Sequence, residues 1–208
     1  TVREIGDGVE GLKVGDRVVL VPNIPCGYCE SCRQGKANMC ENEKVMGVTC
    51  DGVFAKYFVA PEVALTKIPD DMDKDLAIFA EPVKCVMGAM DWVRVLPGET
   101  VLILGGGPIG LYFIMLMKAN GAGKIIVSEP SEYRAKYAMD CGADIIIDPT
   151  KQNLAEEIAK ITSGRGVDIS VDAVGVLIND AIVNTCKGGR SVLMGQNGAV
   201  DETSCQDD

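Results

Sequence analysis

The spacing of apolar residues changes character near residues 82–99. Before that stretch, short apolar runs are broken by Gly, Pro and Cys. Residues 18–21 read as a strand, residues 54–59 alternate aromatic and small side chains as a second, and residues 63–68 suggest a third. After it a regular alternation sets in. Residues 101–104, 125–127, 144–147, 167–173 and 191–194 predict strands, and residues 109–120, 131–141, 153–162 and 177–186 predict helices. Ser131 is placed to cap the second of these helices. Largely apolar strands alternating with amphipathic helices require a parallel sheet covered on both faces. The expected fold class is therefore α/β, a doubly wound parallel sheet preceded by a β-rich, loop-rich region.

Composition narrows the function classes. The 208 residues carry 30 acidic and 20 basic side chains, a net charge of −10, and no histidine. At 47% hydrophobic the chain can bury a real core. The negative excess repels nucleic acid and anionic membrane surfaces, so neither is expected as a partner. Without histidine there is no Ser-His-Asp triad, no Cys-His pair and no imidazole metal ligand within these residues. Residues 100–117 run for 18 positions without a charge, which meets the length of a spanning helix. They contain Gly105-Gly106-Gly107-Pro108, however, which makes a turn between a buried strand and a buried helix. Thr1 falls inside what reads as a strand, Gln206-Asp207-Asp208 close on no element, and no signal peptide opens the chain. The expectation is a cytoplasmic fragment lacking both ends.

Nine cysteines are unevenly spread, and four of them, Cys26, Cys29, Cys32 and Cys40, fall within 15 residues. Four thiolates at x2, x2 and x7 spacing suit a tetrahedral zinc with sulfur about 2.3 Å away. Four protein ligands would close the coordination sphere and make that metal structural. An iron–sulfur run would continue x3-Cys-Pro, whereas here Glu41 follows Cys40 after a spacing of seven. Disulfides fit a secreted scaffold better than this composition. Simple burial fits poorly with Glu30, Arg33, Gln34, Lys36 and Asn38 in the same loop.

Gly105-x-Gly107-x-x-Gly110 directly follows the strand at 101–104 and opens the next helix. In that context Gly105 can make the tight turn, Gly107 admits a pyrophosphate, and Gly110 lets helix and strand pack closely. The helix N-terminus would face the phosphates. Glu129 lies 19 residues after Gly110 at the end of the following strand, where a carboxylate accepts from ribose hydroxyls and repels a 2′-phosphate. NAD is thus expected over NADP. Arg134 lies near the adenosine end, where it would either contact that end or serve a phosphate. The bland alternatives are a purely structural turn, a solvated strand end at Glu129 and a solvated helix face at Arg134.

Together these motifs resemble the zinc-dependent medium-chain alcohol dehydrogenase family, over essentially the whole chain. Residues 2–20 resemble the segment after that family's Gly-His-Glu motif, residues 25–40 its structural-zinc lobe, and residues 51–57 the strand beyond it. Glu81-Pro82, residues 98–101 and the Gly-rich turn resemble the crossover into the coenzyme domain. The resemblance implies part of a GroES-like catalytic domain over residues 1–84. It implies an incomplete Rossmann-type NAD domain over residues 85–208. It also implies hydride transfer between an alcohol and NAD, with one structural and one catalytic zinc. Glu81 in the run Ala80-Glu81-Pro82-Val83-Lys84-Cys85 matches a catalytic-zinc ligand position, direct or through water, of a polyol-type subset. Its alternative is a carboxylate near a helix start. Pro108, Ile109, Ala173, Val174 and Met194 match coenzyme-contact positions, with ordinary apolar core as the alternative, and Cys85 matches a position facing the nicotinamide. Substrates implied are polyols, diols, other secondary alcohols or threonine, with a homodimer or homotetramer as the assembly. The family's other catalytic-zinc ligands would lie before Thr1, so these residues alone are expected to oxidise alcohols poorly. Competing expectations are a zinc-free nucleotide-binding relative and a non-catalytic redox or scaffold protein.

Overall fold

The computed structural model describes residues 1–196 and divides into two compact units, Thr1–Glu81 and a second beginning at Pro82. The second unit thus begins three residues before the boundary expected between residues 84 and 85.

The first unit is built from short pieces. Strand β1 (Val18–Leu20) pairs antiparallel with β4 (Leu65–Lys67), and β2 (Asn23–Ile24) pairs antiparallel with β3 (Lys44–Val45). Between β2 and β3 lie the single-turn helix α1 (Glu30–Arg33) and a 3-10 turn at Ala37–Met39. The short helix α2 (Lys74–Ala77) is capped by the Asp73 carboxylate, which accepts from Asp75 N at 2.6 Å. Residues 54–59, expected as a strand, are irregular, and Phe54 and Val59 are fully exposed. Alternation alone does not make a strand: the segment finds no ladder partner, and β-propensity is realised only through pairing and packing. The third expected strand is partly a 3-10 turn, Glu62–Ala64, before β4 begins.

The second unit contains a five-stranded parallel sheet. Its strands are β5 (Thr100–Leu104), β6 (Lys124–Ser128), β7 (Ile145–Ile147), β8 (Val167–Asp172) and β9 (Thr185–Leu193), in the order β7-β6-β5-β8-β9. Helices α4 (Pro108–Ala119), α5 (Glu132–Asp140), α6 (Leu154–Thr162) and α7 (Ile178–Val183) are the crossovers. The side-chain period of two sorts each strand between two cores. Val101, Ile103, Ile125 and Val127 meet Phe113, Ile114 and Met117 of α4 and Ala138 of α5. Leu102, Leu104, Ile126 and Ile147 meet Ile158 of α6 and Ala181 of α7. Because both faces are covered, the central strand β5 is apolar from Val101 to Leu104, whereas its neighbour β8 also buries Ser170 and Asp172. Ser131 Oγ caps α5 by accepting from Arg134 N, and Asn153 Oδ1 caps α6 by accepting from Glu156 N at 3.2 Å.

Two elements differ from expectation. Helix α3 (Ala80–Val93) runs through the stretch where only a composition change was visible. Pro82 sits in its first turn, where a missing N–H costs nothing, and Val86 and Val93, seven residues apart, bury one stripe. Helix α7 stops at Val183, and β9 starts at Thr185 rather than at residue 191. Val167 pairs with Thr185 and Ile169 with Arg190, so the extra residues, with Gly188 at φ 80°, form an irregularity in the ladder.

Helix α4 rests on the turn before it. A Cβ on Gly110 would overlap the carbonyl oxygen of Gly105. Gly110→Ala should therefore cost about 2 kcal/mol through forced backbone displacement. This would appear as a fall of roughly 4–8 °C in thermal unfolding followed by circular dichroism. An unchanged transition would refute the close helix–turn contact.

Candidate functional site

Each unit holds one candidate centre. In the first, the β2–β3 ladder brackets the loop that carries the cysteines. Gly27 and Gly35 take positive φ of 79° and 77°, which lets the backbone reverse around the thiols. Cys29 directly precedes α1, and its N–H points at Cys26 Sγ at 3.3 Å, while Cys26 N–H points at Cys40 Sγ at 3.2 Å. The sulfurs of Cys26, Cys29, Cys32 and Cys40 all lie within 4.8 Å of one another, and Cys29 Sγ is 3.9 Å from Cys40 Sγ. A tetrahedron with metal–sulfur bonds of about 2.3 Å has edges of about 3.8 Å. The donor set and its spacing thus fit a zinc ion with little movement.

The thiols are electrostatically unequal. Burial raises Cys26, but backbone N–H groups of Tyr28 and Cys29 outweigh it and bring the thiol down to about 6. Backbone N–H donors of Cys32 and Glu41 lower Cys29. Burial, with neighbouring sulfurs, pushes Cys32 up to about 12. Four soft donors share one site, and not all can carry charge without a cation.

In the second unit the C-terminal ends of β5, β6, β8 and β9 bring together residues far apart in sequence. Gly105 takes φ 100° as β5 ends, and its N–H donates to the carbonyl of Ser128 on β6. Gly107 precedes α4, and a Cβ there would meet nothing within 4 Å, so its flank is open. Pro108 is exposed at the first position of α4, while Ile109 packs partly into the core beneath. Strand order reverses between β6-β5 and β5-β8, the topological position at which open α/β sheets form their binding crevice.

Glu129 follows β6 and is only 3% exposed. Its Oε2 accepts from Gly106 N at 2.7 Å and its Oε1 from Ser131 N at 2.8 Å, which ties the Gly-rich turn to the start of α5. Arg134 is exposed on α5. Ala173 and Val174 follow β8, and Val174 Cγ2 lies 2.7 Å from the position of a Cβ on Gly105. Met194 follows β9 and packs against the α4-side core. A cleft of about 380 Å³ near the ends of β5 and β6 is lined by Leu104, Ser128, Asn153 and Leu177, among others.

Two residues with structural work in this crevice carried no assignment from the sequence. Gly106 supplies the N–H that holds Glu129, and Asp172 organises the loop after β8. The spacing Asp172-x-x-Gly175 is the one legible sign, since an Asp followed by Gly often closes a turn on its own backbone.

Glu81 lies half-buried in the first turn of α3, at the end of the first unit. Among the described residues the four cysteines are the one group of three or more potential metal ligands, so Glu81 stands outside any such cluster. Cys85 is exposed one turn further along α3. The first unit also has a cleft of about 820 Å³, lined by Val2, Ile5, Leu12, Val18, Leu20 and Tyr57, among others.

Comparison with known proteins matches residues 1–70 to the alcohol dehydrogenase GroES-like domain and residues 108–206 to the zinc-binding dehydrogenase family. L-threonine 3-dehydrogenase of Pyrococcus horikoshii is 40% identical over 198 residues, which cover 93% of this chain and 56% of that protein. Sorbitol dehydrogenase of Bacillus subtilis is 34% identical over 197 residues, with the same coverage of 93% and 56%. Among solved structures, a candidate zinc-binding dehydrogenase of Sinorhizobium meliloti 1021 bound to NADP superposes with a TM-score of 0.90 at 32% identity. It covers 96% of this chain and 59% of that one. A short chain alcohol dehydrogenase of Escherichia coli CFT073 complexed with NADH gives a TM-score of 0.87 at 31% identity, covering 95% and 59%. The chain thus spans somewhat more than half the length of the proteins it matches.

The thiol cluster should take up one zinc per chain, measurable by competition with a chromophoric chelator, and Cys40→Ser should weaken that uptake by at least about tenfold. Binding should release protons, that of Cys32 among them, whose thiol is held high at about 12. Affinity should rise with pH and drop further below about 6, where Cys26 too becomes protonated. Zinc affinity independent of pH between about 5 and 8 would show that these thiols are not the ligands.

Proposed function

Since the chain belongs to the zinc-dependent medium-chain alcohol dehydrogenase family, we propose that it forms part of an oxidoreductase moving a hydride between a secondary alcohol and NAD. The observation that carries this reading is the 105–110 turn. Its open flank at Gly107, the following helix N-terminus and the adjoining Glu129 carboxylate stand together at the switch point of the sheet. The pyrophosphate would approach the backbone at Gly107 and the N-terminus of α4.

Glu129 has about four acceptor positions. Gly106 and Ser131 take one on each oxygen, which leaves capacity for ribose hydroxyls. A 2′-phosphate would meet the carboxylate's charge, which favours NAD over NADP. Arg134 would reach the adenosine end, and Pro108, Ile109, Ala173, Val174 and Met194 would line the dinucleotide by backbone and packing.

The four-cysteine zinc would be structural, because its ligands leave no open position. Glu81 would serve a second, catalytic zinc, directly or through water. That metal, when bound, polarises an alcohol oxygen and lowers its pKa. The Glu81 run favours polyols, diols and related secondary alcohols. Threonine is the second reading, supported by 40% identity to threonine dehydrogenase against 34% to sorbitol dehydrogenase. The intact cysteine geometry weighs against a zinc-free relative. A reducing compartment such as the cytoplasm would keep the four clustered thiols available to a metal. No helix among the described residues is long and apolar enough to cross a membrane. The assembly would be a homodimer or homotetramer.

Titration monitored by nicotinamide fluorescence tests the coenzyme assignment. NADH should bind at least about tenfold more tightly than NADPH. Gly107→Ala should leave the unfolding temperature nearly unchanged, because its methyl group meets open space, yet weaken NADH about tenfold by filling the pyrophosphate approach. Absence of NADH binding at millimolar concentration would exclude the coenzyme reading.

A further inference from the structure

Asp172 ends β8 fully buried. Among the described residues no ion pair reaches it; its carboxylate instead accepts three backbone N–H groups. Oδ1 accepts from Val174 N at 2.9 Å and Gly175 N at 2.8 Å, and Oδ2 accepts from Leu177 N at 2.7 Å. These three bonds fold residues 173–177 into a tight loop, with Gly175 at φ 97°. The backbone carbonyl of Asp172 accepts from Met194 N at 2.9 Å and Gly195 N at 3.0 Å, so the same residue also fixes the end of β9.

The loop so formed is pressed from two sides. Val174 Cγ2 sits against Gly105, and the backbone of Gly175 touches that of Gly195, where a Cβ on either glycine would collide with the other's backbone. The C-terminal ends of β5, β8 and β9 therefore meet at the loop that the Asp172 carboxylate holds, through contacts at Gly105, Gly175 and Gly195 and through the Asp172 backbone carbonyl. We propose that Asp172 is a positioning residue of the dinucleotide crevice. Its carboxylate holds the 173–177 loop so that Val174 closes the side of the Gly-rich turn before any coenzyme arrives. The inference rests on the coenzyme reading above. A wall formed in advance spares the ligand the cost of ordering it.

Asp172→Asn is the direct probe. An amide can keep the acceptor for Val174 and Gly175 but turns an NH2 group toward the Leu177 N–H, leaving a buried donor unsatisfied. NADH should then bind about tenfold more weakly. Asp168→Asn is the control, because Asp168 also accepts a backbone N–H, from Thr100 at 2.8 Å, but at the opposite end of β8. It should lower the unfolding temperature while leaving NADH affinity within about twofold. In a Val174→Ala background, Asp172→Asn should weaken NADH by much less than tenfold, since the wall is already trimmed.

Equal loss of affinity in both asparagine variants, or none at Asp172, overturns the proposal. So does full additivity with Val174→Ala. Failure of the unaltered protein to bind NADH overturns the coenzyme reading itself, and this proposal with it. If Asp172→Asn does not fold, amide hydrogen exchange in the unaltered protein decides. The amides of Val174, Gly175 and Leu177 should be protected without NADH and gain little from it, and free exchange that only NADH suppresses overturns the proposal.

Discussion

Backbone lies against backbone at the C-terminal end of the parallel sheet, and the candidate crevice depends on that contact. Gly110 lets α4 sit on the carbonyl of Gly105, and Gly175 and Gly195 let the ends of β8 and β9 touch. A single methyl group at Gly110, Gly175 or Gly195 would force main chains apart, because the obstacle in each case is rigid backbone. Gly107, in the same run, is different: its missing side chain leaves space rather than contact. Three glycines therefore hold the crevice together, and one holds it open.

Buried negative groups in this acidic chain are satisfied mostly by peptide N–H groups rather than by cations. Glu129 binds Gly106 and Ser131, and Asp172 binds Val174, Gly175 and Leu177. The cysteine loop follows the same rule, with the N–H groups of Cys26 and Cys29 turned toward sulfur. Backbone donors cost no side-chain entropy to place once the fold is formed. Each such acid or thiol then fixes the path of a loop, which is what a site for a metal or a dinucleotide requires. The buried Asp16 is the exception, paired with Lys67 at 2.9 Å. Lys151 with Asp148 and Lys160 with Glu157 each join an exposed lysine to a half-buried carboxylate at the surface, where such pairs contribute little.

The two units were not equally legible in their residues. In the second, both faces of the sheet are covered, so hydrophobic runs such as Val101-Leu102-Ile103-Leu104 translate directly into strands, and Ser131 and Asn153 mark helix starts by capping them. Its limits blurred where packing overruled pattern: Thr185 joined β9 because β8 offered a ladder, and α3 formed around Val86 and Val93 despite Gly88. In the first unit, residues 54–59 alternate like a strand but lack a neighbour to pair with, and their large side chains stay exposed. The cysteine spacing was readable because four ligands on one loop need only local geometry.

By itself, the sequence determined the alternating α/β order, the compact thiol cluster and the Gly-rich turn followed by an acid. All three depend on neighbours within a few turns or on a strict residue period. Only the tertiary structure decided that Gly106 is the partner of Glu129, that Val174 lies over Gly105, and that Asp172 binds the loop beyond it to the end of β9. These contacts join segments 22 to 69 residues apart or turn on where a buried carboxylate points, and no local pattern encodes either. The sequence supplied residues capable of those bonds, and the parallel order of β6, β5, β8 and β9 brought them within reach.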